Sequence, residues 1–139
     1  MSVFIDTSGL LAVLDADDRY HGEADAAWQE ILSSGENLVT TSYVIVETFA
    51  LAQHRLGMQA VKVLHGDILP VMAVEWVTEA THRAAVEMLI TASRKRLSLV
   101  DCVSFAVIRR AGLRVAFTFD RHFREQGFEV VPRKEKSWT

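Results

Sequence analysis

Short apolar runs alternate along the chain with longer segments in which apolar residues recur at helical spacing. The apolar runs predict five strands, over residues 2–6, 38–40, 71–77, 115–119 and 128–131. The periodic segments predict helices, over residues 8–14, 21–34, 42–56, 58–65, 78–93, 98–111 and 120–125. Strands that alternate with helices favour right-handed crossovers between parallel strands. The pattern therefore predicts an α/β fold with a mainly parallel central sheet flanked by helices on both faces.

Capping residues and glycines mark the ends of several predicted helices. Ser8 is a predicted N-cap, and Ser98 followed three residues later by Asp101 forms a capping-box pattern. Gly35 and Gly57 directly follow two of the periodic segments, and glycine at that position commonly ends a helix. These signals predict where four of the helices begin or end.

The composition limits the class of protein. A length of 139 residues is typical of one domain, and a hydrophobic content of 50% excludes intrinsic disorder. We expect one domain over residues 1–131 and a frayed tail over 132–139, in which Trp138 has no predicted role. The single cysteine, Cys102, excludes an internal disulfide and a cysteine-based zinc site. No apolar stretch is long enough for a membrane span and the N-terminus has no basic flank, so we expect a cytoplasmic protein.

The net charge of −3 conceals an uneven distribution of charged residues. Residues 1–93 carry 4 basic and 13 acidic side chains, whereas residues 94–139 carry 11 basic and 5 acidic ones. The basic part has two interpretations, either as the solvated faces of ordinary helices or as a surface that attracts phosphates. Charge alone does not decide between them.

Four carboxylates interrupt or end apolar runs, where burial of an unpaired charge is costly: Asp6, Glu47, Asp101 and Asp120. Asp6 and Asp120 end predicted parallel strands, where open α/β sheets bind their ligands. Asp101 lies in the first turn of a predicted helix, and Glu47 lies in a helix that follows a strand. One cleft is predicted to collect all four, and a cation would relieve their mutual repulsion. Oxygen donors without histidine or cysteine select Mg²⁺ or Mn²⁺.

Each acid also has a purely structural interpretation. Asp101 and Asp120 could cap helices, and Asp6 could precede a helix cap. Glu47 has the weakest such interpretation, because a carboxylate within a helix finds no free backbone donor. Since all four structural interpretations would have to hold together, the set favours a metal site. His122 is the histidine nearest a proposed acid, and we expect it to be a solvated loop residue.

Four segments resemble the sequence motifs of the PIN-domain ribonucleases and occur in the family's order and spacing. They are FIDTS at 4–8, TSYVIVE at 41–47, LSLVD at 97–101 and FTFDRHF at 117–123. The resemblance runs over about residues 2–131 and implies a parallel sheet flanked by helices. Among PIN domains, the chain resembles the VapC-like toxins of bacterial and archaeal toxin–antitoxin pairs, which are single PIN domains of this size.

The resemblance implies roles for individual residues. The implied metal-binding acids are Asp6, Glu47, Asp101 and Asp120. Thr118 matches the family's hydroxyl position, where it would orient the last acid or a water. Some relatives carry a further acid shortly after the fourth motif, whereas here Arg124 and Glu125 follow, so the resemblance implies four acids.

The activity implied by the resemblance is Mg²⁺-dependent hydrolysis of RNA phosphodiester bonds, in which one or two metal ions activate a water. Glu47 or Asp120 would help to position that water, and the basic C-terminal part would guide the RNA backbone. The implied partners are a second copy of the chain and a cognate antitoxin, whose C-terminal segment covers the acidic cleft. Operator DNA would be bound only through the antitoxin.

Two other functions are compatible with this pattern of acids. A PIN domain can process RNA as a nuclease without any antitoxin. A phosphoacceptor receiver domain also gathers acids around Mg²⁺ at strand ends, but it needs paired acids after the first strand and a lysine near the end. Asp6 stands alone after its strand, and no lysine directly follows residues 115–119, which disfavours that class. A catalytically inactive PIN scaffold is disfavoured because all four acids are present.

Overall fold

The computed structural model describes residues 1–133, which form one sheet of five parallel strands. The strands are β1 (Ser2–Ile5), β2 (Asn37–Thr41), β3 (Met72–Glu75), β4 (Val115–Phe117) and β5 (Glu129–Val131). Their order across the sheet is β3-β2-β1-β4-β5. The chain therefore adds β2 and β3 on one side of β1, and then β4 and β5 on the other side. Strands β1 and β4 therefore flank the point where the strand order reverses, which is where open α/β sheets bind ligands.

Helices connect the strands and confirm the predicted alternation. They are α1 (Thr7–Leu14), α2 (His21–Ser34), α3 (Ser42–Leu56), α4 (Met58–Val63), α5 (Glu79–Ala92), α6 (Leu99–Arg110) and α7 (Arg121–Glu125). A π-helical turn (Leu64–Ile68) and a 3-10 turn (Leu69–Val71) join α4 to β3. Within residues 1–133, no helix combines the length and the apolar character that a membrane crossing requires.

The sheet is buried on both faces. Val3, Phe4 and Ile5 are consecutive in β1 and each is at most 1% exposed. Because successive strand residues point to opposite faces, burial of all three requires cover on each side of the sheet. The fold is therefore the α/β arrangement that the sequence predicts, with helices packed on both faces of a parallel sheet.

Two details near the sheet's carboxyl edge differ from the sequence prediction. Helix α1 begins at Thr7 and its N-cap is Asp6, whereas the sequence predicts Ser8 as the cap. Both residue types cap helices well, and Asp6 takes the position because it keeps the extended conformation of β1. Strand β4 also ends at Phe117, two residues before the predicted end, although the backbone N–H of Thr118 still donates to the Val131 carbonyl at 3.1 Å. The predicted tail from residue 134 onward, with Trp138, lies outside the described residues.

Candidate active site

The candidate site lies where the two central strands end. Ile5 and Phe117 are register partners in β1 and β4, so the residues that follow them lie side by side. The backbone N–H of Asp6 donates to the carbonyl of Phe117 at 3.1 Å, which extends the contact by one residue. Asp6 is only 3% exposed, and Thr118 is fully buried beside it. The arrangement places a buried carboxylate at the switch point of the sheet.

A glycine permits this close approach. Gly9 lies in the first turn of α1, and an added Cβ there would meet the Phe117 ring at 2.6 Å and the Phe117 carbonyl oxygen at 2.9 Å. Contacts that short force a shift of the helix or the strand. The absence of a side chain at Gly9 therefore lets α1 lie against β4 and brings Asp6 to the residues that follow that strand.

Two hydroxyl groups fasten the Asp6 carboxylate to the loop after β4. Ser8 Oγ and Thr118 Oγ1 each donate to Asp6 Oδ2 at 2.8 Å. The same two oxygens accept hydrogen bonds from the loop's backbone, Ser8 Oγ from Phe119 N at 2.9 Å and Thr118 Oγ1 from Asp120 N at 3.0 Å. Thr118 thus contacts the carboxylate of Asp6 and reaches Asp120 through its backbone. Ser8 has a role at the site that the sequence prediction missed, since its hydroxyl was assigned to helix capping.

The second acid, Asp101, is held by the N-terminus of α6. Ser98 Oγ accepts from Asp101 N at 3.0 Å, and Asp101 Oδ2 accepts from Ser98 N at 3.2 Å, which confirms the predicted capping box. The helix dipole favours an anion at this end. Asp101 is 7% exposed. The same buried carboxylate therefore completes the capping box of α6 and is a candidate metal ligand.

The third acid, Asp120, caps the short helix α7 and brings a histidine with it. Asp120 Oδ1 accepts from His122 N at 2.9 Å, so Asp120 caps α7, in line with its structural interpretation. His122 Nδ1 lies 3.0 Å from Asp120 Oδ1 and 4.0 Å from Asp101 Oδ2. Neither ring nitrogen has a hydrogen-bond partner among the described residues, since the approach to Asp120 is an ion-pair distance without hydrogen-bond geometry.

The expectation that His122 is a solvated loop residue is wrong. Its side chain is 6% exposed, and the adjacent Phe123 is fully buried against Phe4 and Phe105. Burial of Phe123 pulls α7 onto the core, and the ring of His122 follows. The available sequence signal was the position of His122 between an acid and an aromatic residue directly after a buried strand.

A positive charge would stabilise the ionised form of the buried carboxylates at the site. The pKa of Asp6 is raised from 3.8 to about 7, mainly by burial and also by the charges of Asp101 and Asp120, against the lowering effect of hydrogen bonds from Ser8 and Thr118. Burial also raises the pKa of Asp101, with the charge of Asp120 adding to the effect. A cation bound beside Asp6 and Asp101 would relieve the unfavourable ionisation of these two buried carboxylates.

The donor groups fit a divalent cation. One ligand atom from each of Asp101, Asp120 and His122 lies within 4.8 Å of the other two. The unsatisfied nitrogens of His122 are polar atoms without a protein partner, and carboxylate oxygens are hard donors. The sequence predicts a site of carboxylates alone, and the structure adds His122 beside Asp101 and Asp120.

Of the four predicted acids, Asp6 is coupled by charge to Asp101 and Asp120, whereas Glu47 belongs neither to that set nor to the group with His122 among the described residues. Glu47 lies in the second turn of α3, half-buried, on a helix that packs against α1 and α6. The core face of α3 is formed by Val44, Thr48 and Ala52, so Glu47 lies at the edge of that face. It makes no hydrogen bond or ion pair with any residue in the range 1–133. Its role as a metal ligand stays a prediction.

Comparison with known proteins identifies a nuclease family that matches this chain. The family model of the PIN domain matches residues 3–129. The 23S rRNA-specific endonuclease VapC20 of Mycobacterium tuberculosis is 36% identical over 132 residues, which cover 94% of this chain and 98% of VapC20. The same sequence identity and coverage are found for VapC20 of two strains, CDC 1551 / Oshkosh and H37Rv.

Solved structures give the same result. The crystal structure of Mycobacterium tuberculosis VapC20, a sarcin–ricin loop cleaving toxin, superposes with a TM-score of 0.80 at 34% identity, over 91% of this chain and 95% of that one. FitAcB from Neisseria gonorrhoeae shares the fold with a TM-score of 0.67 at 16% identity, over 94% of this chain and 96% of that one. The family model and the full-length similarity to VapC20 together show that the chain belongs to the PIN-domain family, among its VapC-like nucleases.

Proposed function

We propose that this protein is an endoribonuclease that hydrolyses RNA phosphodiester bonds with Mg²⁺ or Mn²⁺ and acts as the toxin of a cytoplasmic toxin–antitoxin pair. The observation that carries the proposal is the convergence of Asp6, Asp101 and Asp120 at the switch point of the sheet. The full-length similarity to VapC20 supports 23S rRNA as the substrate class, and the sarcin–ricin loop as the first sequence to test.

The chain's own residues supply binding and orientation. Asp6, Asp101, Asp120 and Glu47 would hold the cation, and Glu47 or Asp120 would help to position a water. When bound, a divalent cation supplies charge that stabilises the phosphodiester transition state and acidifies the attacking water. Thr118 keeps the Asp6 carboxylate in one orientation through its 2.8 Å hydrogen bond. A site held this rigidly pays little reorganisation energy during the reaction.

The proposed partners follow from the same family relationship. A second copy of the chain would form a homodimer, and a cognate antitoxin would cover the acidic cleft with its C-terminal segment. A basic antitoxin side chain among the carboxylates would replace the charge of the cation, which the raised pKa values of Asp6 and Asp101 favour. The other end of the antitoxin would bind operator DNA.

The proposal is tested by incubating total bacterial RNA with the purified protein in MgCl₂ and in EDTA. Asp101→Asn is the informative variant, because an amide oxygen can still accept from Ser98 N and preserve the helix cap. Asp25→Asn, an exposed position on α2, removes the same charge far from the site and serves as the control. We expect cleavage by the wild type and by Asp25→Asn in MgCl₂ only. Equal cleavage by Asp101→Asn would overturn the assignment.

A further inference from the structure

A cavity of about 510 Å³ opens directly beside the acid cluster. Asp120 and His122 form part of its lining, so it is continuous with the candidate active site. The remainder of its lining is rich in positive charge, from Arg19, Arg96, Arg121 and Arg124. A cavity with the Asp120 carboxylate and four arginine side chains in its lining suits a ligand that is anionic at several successive points.

The four arginines converge from separate parts of the chain. Arg19 lies in the loop between α1 and α2, Arg96 lies in the loop before α6, and Arg121 and Arg124 lie on α7. Folding therefore brings arginines that are separated in the sequence together into one positively charged surface.

Three of these arginines can pair with a ligand because they have no carboxylate partner among residues 1–133. Arg96, Arg121 and Arg124 are exposed, and none of them forms an ion pair with a carboxylate of residues 1–133. Arg94 lies outside the cavity and differs, since it pairs with Glu125 at 3.3 Å. An arginine without a protein carboxylate retains its donors for a phosphate, which it binds in a bidentate geometry.

The fourth arginine is held in place by an aromatic stack. The guanidinium of Arg19 lies 4.5 Å from the ring centre of Tyr20 and donates to the Tyr20 hydroxyl. Tyr20 in turn stacks on Phe119 with ring centres 4.8 Å apart and planes within 4° of parallel. Phe119 N donates to Ser8 Oγ, so this stack is anchored to the hydrogen-bond network of the acid cluster. Arg19 therefore loses little conformational freedom when it binds a ligand.

The geometry points to an RNA-backbone pocket, in which Arg19, Arg96, Arg121 and Arg124 bind the phosphates next to the scissile one. This inference rests on the proposed function and specifies how that site receives its substrate. RNA fits better than an acidic peptide because its phosphates repeat at every nucleotide, so one can reach the acid cluster while its neighbours contact the arginines. We refer to these four residues as the arginine pocket.

The test measures RNA binding without cleavage. A fluorescein-labelled RNA hairpin of the sarcin–ricin loop sequence is titrated with full-length protein in EDTA, by fluorescence anisotropy, at several KCl concentrations. The variants are Arg96→Ala and the double variant Arg121→Ala/Arg124→Ala. Arg114→Ala is the matched control, because Arg114 is also exposed but precedes β4, at the amino end of that strand. Circular dichroism and thermal melting verify that each variant is folded.

We expect removal of any arginine of the pocket to weaken RNA binding and to reduce the dependence of binding on salt concentration. Loss of one charge-assisted phosphate contact weakens binding roughly tenfold. It also lowers the magnitude of the slope of log K against log [KCl] by about 0.7, so the double variant loses about 1.4. Arg114→Ala is expected to keep the wild-type slope, and equal slopes in Arg114→Ala and the double variant would overturn the inference.

The outcomes separate this pocket from the proposed nuclease function. Cleavage of RNA together with unchanged binding by the pocket variants would refute the pocket and leave the nuclease standing. Arginine-dependent binding without cleavage in MgCl₂ would refute the nuclease and leave the pocket. A polyglutamate peptide that competes with the hairpin at equal charge concentration, and depends on the same arginines, would overturn RNA as the ligand in favour of an acidic partner.

The role of the aromatic stack is tested by a double-mutant cycle. Arg19→Ala and Tyr20→Ala are measured singly and together in the same binding assay. Because Tyr20 positions Arg19, the double variant is expected to bind RNA no more weakly than the poorer single variant. Additive losses of affinity would show that Tyr20 does not act through Arg19.

Discussion

Replacement of Asp6 by asparagine isolates the cost of placing a negative charge at the switch point of the sheet. The carboxylate is 3% exposed, and burial together with Asp101 and Asp120 raises its pKa from 3.8 to about 7. Between those two values the folded protein binds more protons than the unfolded chain, so the free energy of unfolding falls as the pH rises. The loss is complete above about pH 7, and it amounts to about 4 kcal/mol when each pKa step is counted at 1.36 kcal/mol.

Asp6→Asn has no proton to lose at this position and keeps an oxygen that can accept from Ser8 and Thr118. We therefore expect the stability of the variant, relative to the wild type, to increase by about 4 kcal/mol between pH 4 and pH 8. Urea denaturation in EDTA, followed by circular dichroism at several pH values, measures this difference directly. Asp25→Asn, an exposed acid on α2, is the control and is expected to show no such trend.

The same experiment has an arm with metal. Excess MgCl₂ at pH 8 is expected to stabilise the wild type, because a cation that binds only the folded state shifts the unfolding equilibrium. The stability of Asp6→Asn is expected to rise little in MgCl₂, since the carboxylate that repels its neighbours is absent. A stability difference between wild type and Asp6→Asn that is independent of pH would refute the account of the buried charge.

Three further substitutions test separate parts of the site. Gly9→Ala is expected to cost about 1–3 kcal/mol in unfolding free energy by pushing α1 against the Phe117 carbonyl, whereas Gly22→Ala, with open space around it, is expected to cost nothing. Thr118→Val removes a buried donor to a carboxylate and is expected to cost about 1–3 kcal/mol in denaturant titrations. His122→Asn is expected to weaken Mn²⁺ binding about tenfold in calorimetry while the fold is retained, and unchanged affinity would contradict a role for the imidazole at the site.

Much of the site could be predicted from the sequence because its acids occupy positions that a local pattern reveals. Asp101 follows Ser98 at capping-box spacing, and Asp120 directly follows an apolar run, so the helix-start position of Asp101 and the strand-end position of Asp120 were readable. Glu47 shows the limit of that reasoning, since helical spacing places it near the edge of a buried face without fixing its partners.

The parts that the sequence did not reveal depend on contacts between distant segments. The burial of His122 follows from the packing of Phe123 on Phe4, which is remote in sequence. The hydroxyl of Ser8 joins the loop after β4 only because Gly9 allows α1 to approach Phe117. No periodicity within one helix or strand encodes such contacts.

The most direct test of the account is the chemistry of the RNA ends produced from 23S rRNA in MgCl₂. Attack by a water held at the acid cluster leaves products without a 2′,3′-cyclic phosphate, at sites that disappear with EDTA and with Asp101→Asn. We expect that result. Products ending in 2′,3′-cyclic phosphate, or the same ends from Asp101→Asn, would contradict hydrolysis by a cation held between Asp6, Asp101 and Asp120.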